Sequence, residues 1–538
     1  PRGAAPLPAL RLRAPAGPAP GPPAALRGPP RGRAGHRAGP DHGRPLGPGP
    51  APGDRRFTDP AWTQNPLLRR IVQLYLAGAA AAESLLADAE LGWRDAERAG
   101  FIVRNLVDAA APSNNPLISP AAWKALIDTG GLSTVRGVRA LASDLSAAPR
   151  IPAMVSPDAF EVGRDLAVTP GAVVARTEIC ELIQYEPATP RVHQYPLVIV
   201  PPMINKFYIT DLSPDAAWLS TWCRRAIRCS PSRGDPDARH REWGLDAYGQ
   251  AVADALDTAR SICGAQKASI FALCSGGIVS SMVAAHLRGT GRLDQLATLH
   301  FGVTVLDQTP EGTVAAMVDE RTAALAVSAS QARGYLDGRS LAEVFAWFRP
   351  NDLIWTYWVN NYLQGQAPPP FDILYWNADT TRMPAALHRD FIELVLDRAL
   401  AKPGTATMLG SPVDLSGVDV DAYVIAGVAD HLCPWQACYR TTQLVGGDVR
   451  FALVSSGHIA SMVNPPGNPK ARFQVSAANP ADPPGLAEDG RDRAGQLVAG
   501  LLVVAGRAQR RGEGPARRAG QHPVQPLDAA PGLYVLDR

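Results

Sequence analysis

Apolar residues fall into step with a regular element only from about Asp59 onward. Over 67–80 and 81–99 they recur at three- and four-residue intervals, the spacing of one helix face. Both stretches are therefore predicted helical, and 56–170 reads as a helical N-terminal region. Alternation takes over across 173–186, which predicts a strand or hairpin. Residues 196–202, Pro-Leu-Val-Ile-Val-Pro-Pro, are a short apolar run closed by a turn, the pattern of a parallel strand buried on both faces. A helix over 246–265, a strand over 268–273 and a helix over about 277–287 follow, with further strands expected over 297–306, 423–426 and 449–454. Strands alternating with helices specify the α/β class: a mostly parallel sheet with helices on both faces, here over 171–480. Between Asp307 and about Pro412 the strand series pauses. The interval carries Trp347, Trp355, Tyr357, Trp358, Tyr362, Tyr375 and Trp376, and so long an insertion reads as a lid, about 309–405.

The two ends depart from this pattern. Residues 1–55 are mostly Pro, Gly, Ala and Arg, cannot bury a core, and read as disordered or out of frame. Residues 481–538 read as a C-terminal tail. The chain opens on Pro1 rather than Met and shows no secretory leader, which reads as a fragment or an imperfect gene assignment. Charge narrows the function classes: 53 basic against 50 acidic residues leave +3, too little for a nucleic-acid or acidic-membrane partner. No uninterrupted run of 18 apolar residues occurs, so no transmembrane segment is expected. Seven cysteines, at 180, 223, 229, 263, 274, 433 and 438, follow neither a disulfide framework nor a zinc spacing. A sparse odd set fits a reducing compartment in which one thiol can be catalytic. No metal cluster and no organic cofactor motif is read.

The chemistry centres on Ile270-Phe-Ala-Leu-Cys274-Ser-Gly-Gly-Ile278. An apolar strand runs into a nucleophile-type residue, then two glycines, then a helix, the layout of a nucleophile elbow. The helix N-terminus favours negative charge and lowers a thiol pKa. Ala272 stands where the elbow usually has its first glycine, a mild departure because alanine is small. On this motif alone a buried cysteine at a tight turn is an equally good reading. Asp430 and His458, each just past a predicted strand, add to it. Loops gather at the carboxyl edge of a parallel sheet, and the order Cys…Asp…His is that of α/β-hydrolases. In that arrangement His458 deprotonates Cys274 and Asp430 orients the imidazole. His431 is expected to pack or hydrogen-bond locally. Oxyanion donors are expected from the backbone N–H of Ser275 and of Ile204, in the turn after the strand at 196–202.

Several longer strings resemble polyhydroxyalkanoate synthases: Pro201-Pro-Met-Ile-Asn-Lys-Phe-Tyr208, Cys274-Ser-Gly-Gly277, Asn351-Asp-Leu-Ile-Trp355, Trp358-Val-Asn-Asn-Tyr362, Phe371-Asp-Ile-Leu-Tyr-Trp-Asn377, Ala429-Asp-His-Leu-Cys-Pro-Trp435, Ser456-Gly-His-Ile459 and Asn464-Pro-Pro-Gly-Asn-Pro-Lys470. The likeness covers roughly 52–480, and its wording is closest to synthases that take medium-chain monomers. It implies an α/β-hydrolase fold and an acyltransferase that polymerises (R)-3-hydroxyacyl-CoA with release of CoA. It also implies that Asp430 helps activate the hydroxyl of the incoming unit. No cofactor is implied beyond the coenzyme A carried by the substrate. The implied partners are the growing polyester and a granule surface in the cytoplasm, and a second copy in a homodimer.

Two stretches lose this wording and regain it. Ser220–Arg233, read one base out of frame with suitable codons, gives His-Leu-Val-Gln-Ala-Gly-Asp-Ser-Leu-Phe-Ala-Ile-Thr, a helix end and an apolar strand. Residues 496–506 recode to Ser-Trp-Trp-Pro-Asp-Tyr-Trp-Ser-Trp-Leu, and 522–538 read in frame again. Paired frameshifts across about 213–234 and 485–521 are therefore expected, with loss of one sheet strand as their consequence. Two competing functions stand beside the synthase: an esterase, thioesterase or polyhydroxyalkanoate depolymerase, and an inactive granule-associated homologue.

Overall fold

The computed structural model describes residues 49–51, 53–187, 189–212, 226–230, 236–307, 312–463, 472–476, 478–481, 493–494, 513–515 and 525–537. The low-complexity stretch 1–48 and most of both suspected frameshifted stretches lie outside the described residues.

The central feature is a sheet of eleven strands. In chain order these are β1 (Gly171–Arg176), β2 (Glu181–Tyr185), β3 (Leu197–Val200), β4 (Ala226–Ser230), β5 (Ala268–Leu273), β6 (Leu296–Gly302), β7 (Ala422–Gly427), β8 (Val449–Val454), β9 (Arg472–Ser476), β10 (Arg493–Ala494) and β11 (Asp528–Ala529). Their order across the sheet is β10-β9-β8-β7-β6-β5-β3-β4-β2-β1-β11. From β4 to β8 every pairing is parallel, and antiparallel strands flank this centre on both sides. The apolar runs explain the centre: every residue of β5 and of β7 is buried, as a strand covered on both faces requires. The stretch 173–186 resolves into the β1–β2 hairpin. The strand expected over 297–306 ends at Gly302, where Val303 turns to a positive φ of 45°.

The expected loss of a central strand is corrected. Ala226–Ser230 occupies the place between β2 and β3 and pairs with both, Ile227 facing Gln184 on one side and Val198 on the other. Ladder hydrogen bonds use the backbone alone, so a five-residue segment of altered wording still fills the gap.

The N-terminal region is helical: α1 (Pro66–Asp88), α2 (Trp93–Ala109), α3 (Pro120–Asp128) and α4 (Leu132–Ser146). The division expected at Ala80 falls instead at 89–92. Alanine is the best helix former, so Ala79–Ala82 cannot stop a helix, whereas Gly92 sits outside it as the cap of α2. Asn65 opens α1 by accepting from the N–H groups of Leu67 and Leu68, with Pro66 in the first turn. The expectation that nothing here suits a membrane meets one exception. An 18-residue window of α1 has a mean hydropathy of 1.2, enough by length and composition for a span, and only 6% of it is buried.

Two cores flank the sheet. One packs α5 (Leu245–Cys263) and α6 (Ser275–Gly289) on one face. The other, on the opposite face, includes Phe271, Leu273, Tyr423 and Val454, and takes Tyr375 and Trp376 from the insertion between β6 and β7. That insertion is helical, with α7 (Glu320–Arg333), α8 (Gly338–Phe348), π-helical turns over Asn351–Trp355 and Trp358–Leu363, α9 (Asp372–Ala378) and α10 (Ala385–Asp397). The N-terminal helices close on it. Arg98 pairs with Asp319 at 2.5 Å, Asn351 donates to Asp108 at 2.6 Å, Trp358 Nε1 donates to the Asn114 carbonyl at 3.1 Å, and Tyr362 donates to Asp144 at 2.7 Å. A Cβ on Gly137 of α4 would lie 1.9 Å from the Tyr362 carbonyl oxygen, so only glycine allows this approach.

Candidate functional site

Cys274 ends β5 and caps α6 with φ 49° and ψ −121°. This region is almost closed to non-glycine residues and costs on the order of 1–3 kcal/mol. Local hydrogen bonds hold it there. The Cys274 N–H donates to the Gly302 carbonyl at 2.8 Å, and the Cys274 carbonyl accepts from Gly277 N–H at 2.9 Å and from Thr304 Oγ1 at 3.1 Å. The glycines permit the turn by their lack of a Cβ. One on Gly276 would meet the Pro201 carbonyl oxygen at 2.4 Å, and one on Gly277 the Thr304 hydroxyl at 2.2 Å. Ala272, inside β5, is fully buried and pairs in register with Val200 and Phe301 on the neighbouring strands.

His458 opens α11 (His458–Val463) just after β8, and Asp430 follows β7. Asp430 Oδ2 lies 2.7 Å from His458 Nδ1, with the carboxyl side chain fully buried and the imidazole 11% exposed. The other oxygen, Oδ1, accepts from the backbone N–H of Leu432 and of Cys433, both at 2.9 Å. One carboxylate thus fixes the imidazole and folds the turn that carries Cys433. Cys274 Sγ, Cys433 Sγ and a ring nitrogen of His458 all lie within 4.8 Å of one another. Because Nδ1 is committed to Asp430, Nε2 is the nitrogen that faces the sulfurs. Cys433 was not singled out in the sequence. Its one local signal was its position three residues past Asp430, the spacing at which an Asx turn receives an N–H.

The electrostatics follow from these contacts. The Cys433 thiol and burial push the Cys274 thiol well above its ordinary range, and His458 pulls the other way. Burial opposes a charged His458, but the Asp430 carboxylate outweighs it and, with Cys274, raises the imidazole to about 10. His431 moves the opposite way, to about 4, through burial and the nearby Arg349 guanidinium. Its Nδ1 is buried with no hydrogen-bond partner among the described residues.

The turn that follows β3 joins the same place. Ser275 Oγ accepts from Met203 N–H at 2.9 Å, which ties the turn to the first residue of α6. The Ile204 carbonyl accepts from Thr381 N–H at 3.3 Å, and Asn205 bridges to Thr380. Trp376 Nε1 donates to the Lys206 carbonyl at 2.6 Å, and Tyr208 donates to Asp379 at 2.8 Å. The Lys206 ammonium, only 4% exposed, pairs with Asp379 at 2.9 Å and donates to the carbonyls of Val535 and Asp537 at 2.7 and 2.8 Å. The turn is therefore held by the helix behind it, the insertion above it and the C-terminal segment.

A strained cysteine at a strand–helix elbow, with an acid and a histidine on the next loops of the same sheet edge, defines an enzyme of the α/β-hydrolase fold. Comparison agrees: residues 225–465 match the model of the alpha/beta hydrolase fold, and residues 53–223 match that of the poly-beta-hydroxybutyrate polymerase (PhaC) N-terminus. Poly(3-hydroxyalkanoate) polymerase 1 of Ectopseudomonas oleovorans is 43% identical over 491 residues, covering 91% of this chain and 87% of that protein. The poly(3-hydroxyalkanoate) polymerase subunit PhaC of Cupriavidus necator is 36% identical over 495 residues, covering 90% and 83%. Among solved structures, a hydrolase from Pseudomonas aeruginosa aligns at 16% identity and a TM-score of 0.35, over 54% of this chain and 92% of its own. The chain belongs to the poly(3-hydroxyalkanoate) polymerase family of acyltransferase-type enzymes.

Proposed function

We propose that the protein polymerises (R)-3-hydroxyacyl-CoA into poly(3-hydroxyalkanoate) and releases CoA, with the growing acyl chain held as a thioester on Cys274. The observation that carries this reading is the strained Cys274 elbow beside a His458 whose Nδ1 is bonded to Asp430. As Cys274 Sγ attacks the thioester carbonyl carbon, its proton passes to His458 Nε2. The carbon–sulfur bond to CoA then breaks, and the imidazolium returns the proton to the departing thiolate. Oxygen charge on the intermediate meets the backbone N–H groups of Ser275 and Ile204. One thioester replaces another, so the exchange is close to isoenergetic and the acyl group stays activated. The 3-hydroxyl of the next hydroxyacyl-CoA attacks this acyl carbon, loses its proton to His458, and frees the Cys274 thiol. The lengthened chain, still a CoA thioester, reloads onto Cys274. Both oxygens of Asp430 already accept hydrogen bonds, which supports a role exerted through His458 rather than at the hydroxyl.

A thiol with raised pKa forms little thiolate unaided, which leaves attack dependent on His458. The insertion between β6 and β7 acts as a lid that keeps water from the acyl-enzyme. The N-terminal helices carry exposed Leu67, Leu74, Leu85, Ile102 and Leu106, an apolar surface that supports adsorption to a polyester granule in the cytoplasm. A homodimer and the absence of any cofactor other than substrate-borne coenzyme A belong to the same reading.

The test is incubation with 3-hydroxybutyryl-CoA and with 3-hydroxyoctanoyl-CoA, following free thiol, polymer and label on the protein. Polymer and a Cys274-bound label are expected, with both absent in Cys274→Ala. Free hydroxyacid as the product would favour a hydrolase instead. An unchanged rate of CoA release in Cys274→Ala would remove Cys274 from the reaction.

A further inference from the structure

Spacing in the sequence shows no metal motif, yet the fold gathers two thiols and an imidazole. Cys274 Sγ, Cys433 Sγ and His458 offer donors within 4.8 Å of one another. In tetrahedral zinc sites Zn–S is about 2.3 Å and Zn–N about 2.0–2.1 Å, which sets donor atoms roughly 3.5–3.8 Å apart. The three atoms need to close by at most about 1.3 Å to meet this geometry. Two soft sulfurs and one imidazole are the ligand set of thiophilic divalent ions and a poor one for magnesium or calcium.

A second observation points the same way. A metal-binding histidine commonly donates its other ring N–H to a carboxylate, which fixes the ring and raises its basicity. Asp430 Oδ2 stands 2.7 Å from His458 Nδ1 and leaves Nε2 toward the sulfurs. The same carboxylate holds Cys433 in place through its backbone N–H at 2.9 Å. The ligands thus come from three separate loops of one sheet edge, two of them tied together by Asp430.

We propose that Cys274, Cys433 and His458 form a site for a thiophilic divalent cation such as Zn2+, which silences the enzyme reversibly by ligating its nucleophile. Binding displaces a proton from each thiol and the Nε2 proton of a charged His458, forms two metal–sulfur bonds and one metal–nitrogen bond, and leaves the fourth position to water. Both sulfur lone pairs and the imidazole are then withheld from acyl transfer. Since the protons are released on binding, affinity rises with pH. Cys433 is the residue that distinguishes this site from an ordinary cysteine–histidine pair, and acyl transfer does not call on it.

The test uses the full-length protein kept reduced with a phosphine. Co2+ titration is expected to give a sulfur-to-cobalt charge-transfer band of two-thiolate intensity and a tetrahedral visible spectrum, with Zn2+ displacing the cobalt. Cys433→Ser and Cys433→Ala are expected to halve the charge-transfer intensity. They should also weaken zinc inhibition of CoA release by more than the roughly 10–100-fold that loss of an orienting partner alone costs. Cys263→Ser, a thiol at the C-terminal end of α5 and outside the three donors, is expected to leave both unchanged. An unaltered cobalt spectrum and zinc inhibition constant in folded Cys433 variants would overturn the proposal, as would an octahedral spectrum in wild type. The cobalt spectrum reads the site whatever the enzyme makes, so its failure is separate from failure of the polymerase reading.

Discussion

At the scale of single residues, Asp430 carries the most. Its charge is what lifts His458 against burial, so Asp430→Asn is expected to lower the imidazole's proton affinity. If His458 is the base proposed above, its raised pKa means that it must lose a proton before it can act, so the acid limb of kcat/KM in the wild type is expected above the ordinary histidine value near 6.5. In Asp430→Asn that limb should move to lower pH while the plateau falls by several orders of magnitude, on the scale of the roughly 10⁴ seen when a triad imidazole is left in the wrong tautomer. A pH–rate profile of CoA release checks both, and a limb that stays in place refutes the assignment. Gly276→Ala tests the elbow. Its Cβ would lie 2.4 Å from a backbone oxygen that cannot swing away, so a loss of about 1–3 kcal/mol in denaturant unfolding, with loss of acyl transfer, is expected. Cys274, Asp430 and His458 were legible because each stands at the end of a short apolar strand. Cys433 was not, because nothing in a linear string tells that its thiol meets that of Cys274, 159 residues away, beside His458.

At the scale of elements, the central strands and α6 were readable from periodicity, since burial on both faces leaves an unbroken apolar run. The insertion was readable only as aromatic-rich. Its π-helical turns over Asn351–Trp355 and Trp358–Leu363 came from no sequence pattern, because the same apolar spacing serves an α-helix equally. What the aromatics do differs by position. Trp376 reaches the turn after β3 and Trp358 reaches Asn114 in the N-terminal region. Trp376→Phe leaves the buried Lys206 carbonyl without its donor and should cost about 1–3 kcal/mol. It should also slow acyl transfer by loosening the turn that carries Ile204. Trp358→Phe should destabilise the contact between the N-terminal helices and the insertion while changing the rate far less. Parallel measurement of unfolding and kcat in the two variants separates these outcomes.

At the scale of the whole molecule, residues far apart in the chain close the structure. The N-terminal helices bind the insertion rather than the sheet, and residues 525–537 return to the opposite edge, where β11 pairs with β1. There Glu181, 1% exposed, accepts from Leu533 and Tyr534 N–H at 3.3 and 3.1 Å, and Lys206 donates to Val535 and Asp537. Deleting 525–537 removes partners from two buried charges at once and should cost about 3–5 kcal/mol, read as a lowered unfolding midpoint. An unchanged midpoint would show that these contacts carry no stability. The pairing was invisible in the sequence, since two-residue strands have no period to detect.

The reach from Lys206 to Val535 spans 329 residues of chain. Synthesis proceeds from the N-terminus at about 5–20 residues per second, and domains fold as their parts appear. The elbow, the acid and the histidine are all made before residue 460, yet the turn beside them has its last support only after residue 537. A nascent chain therefore carries Cys274, Asp430 and His458 for several seconds before the turn after β3 gains its contacts to Val535 and Asp537.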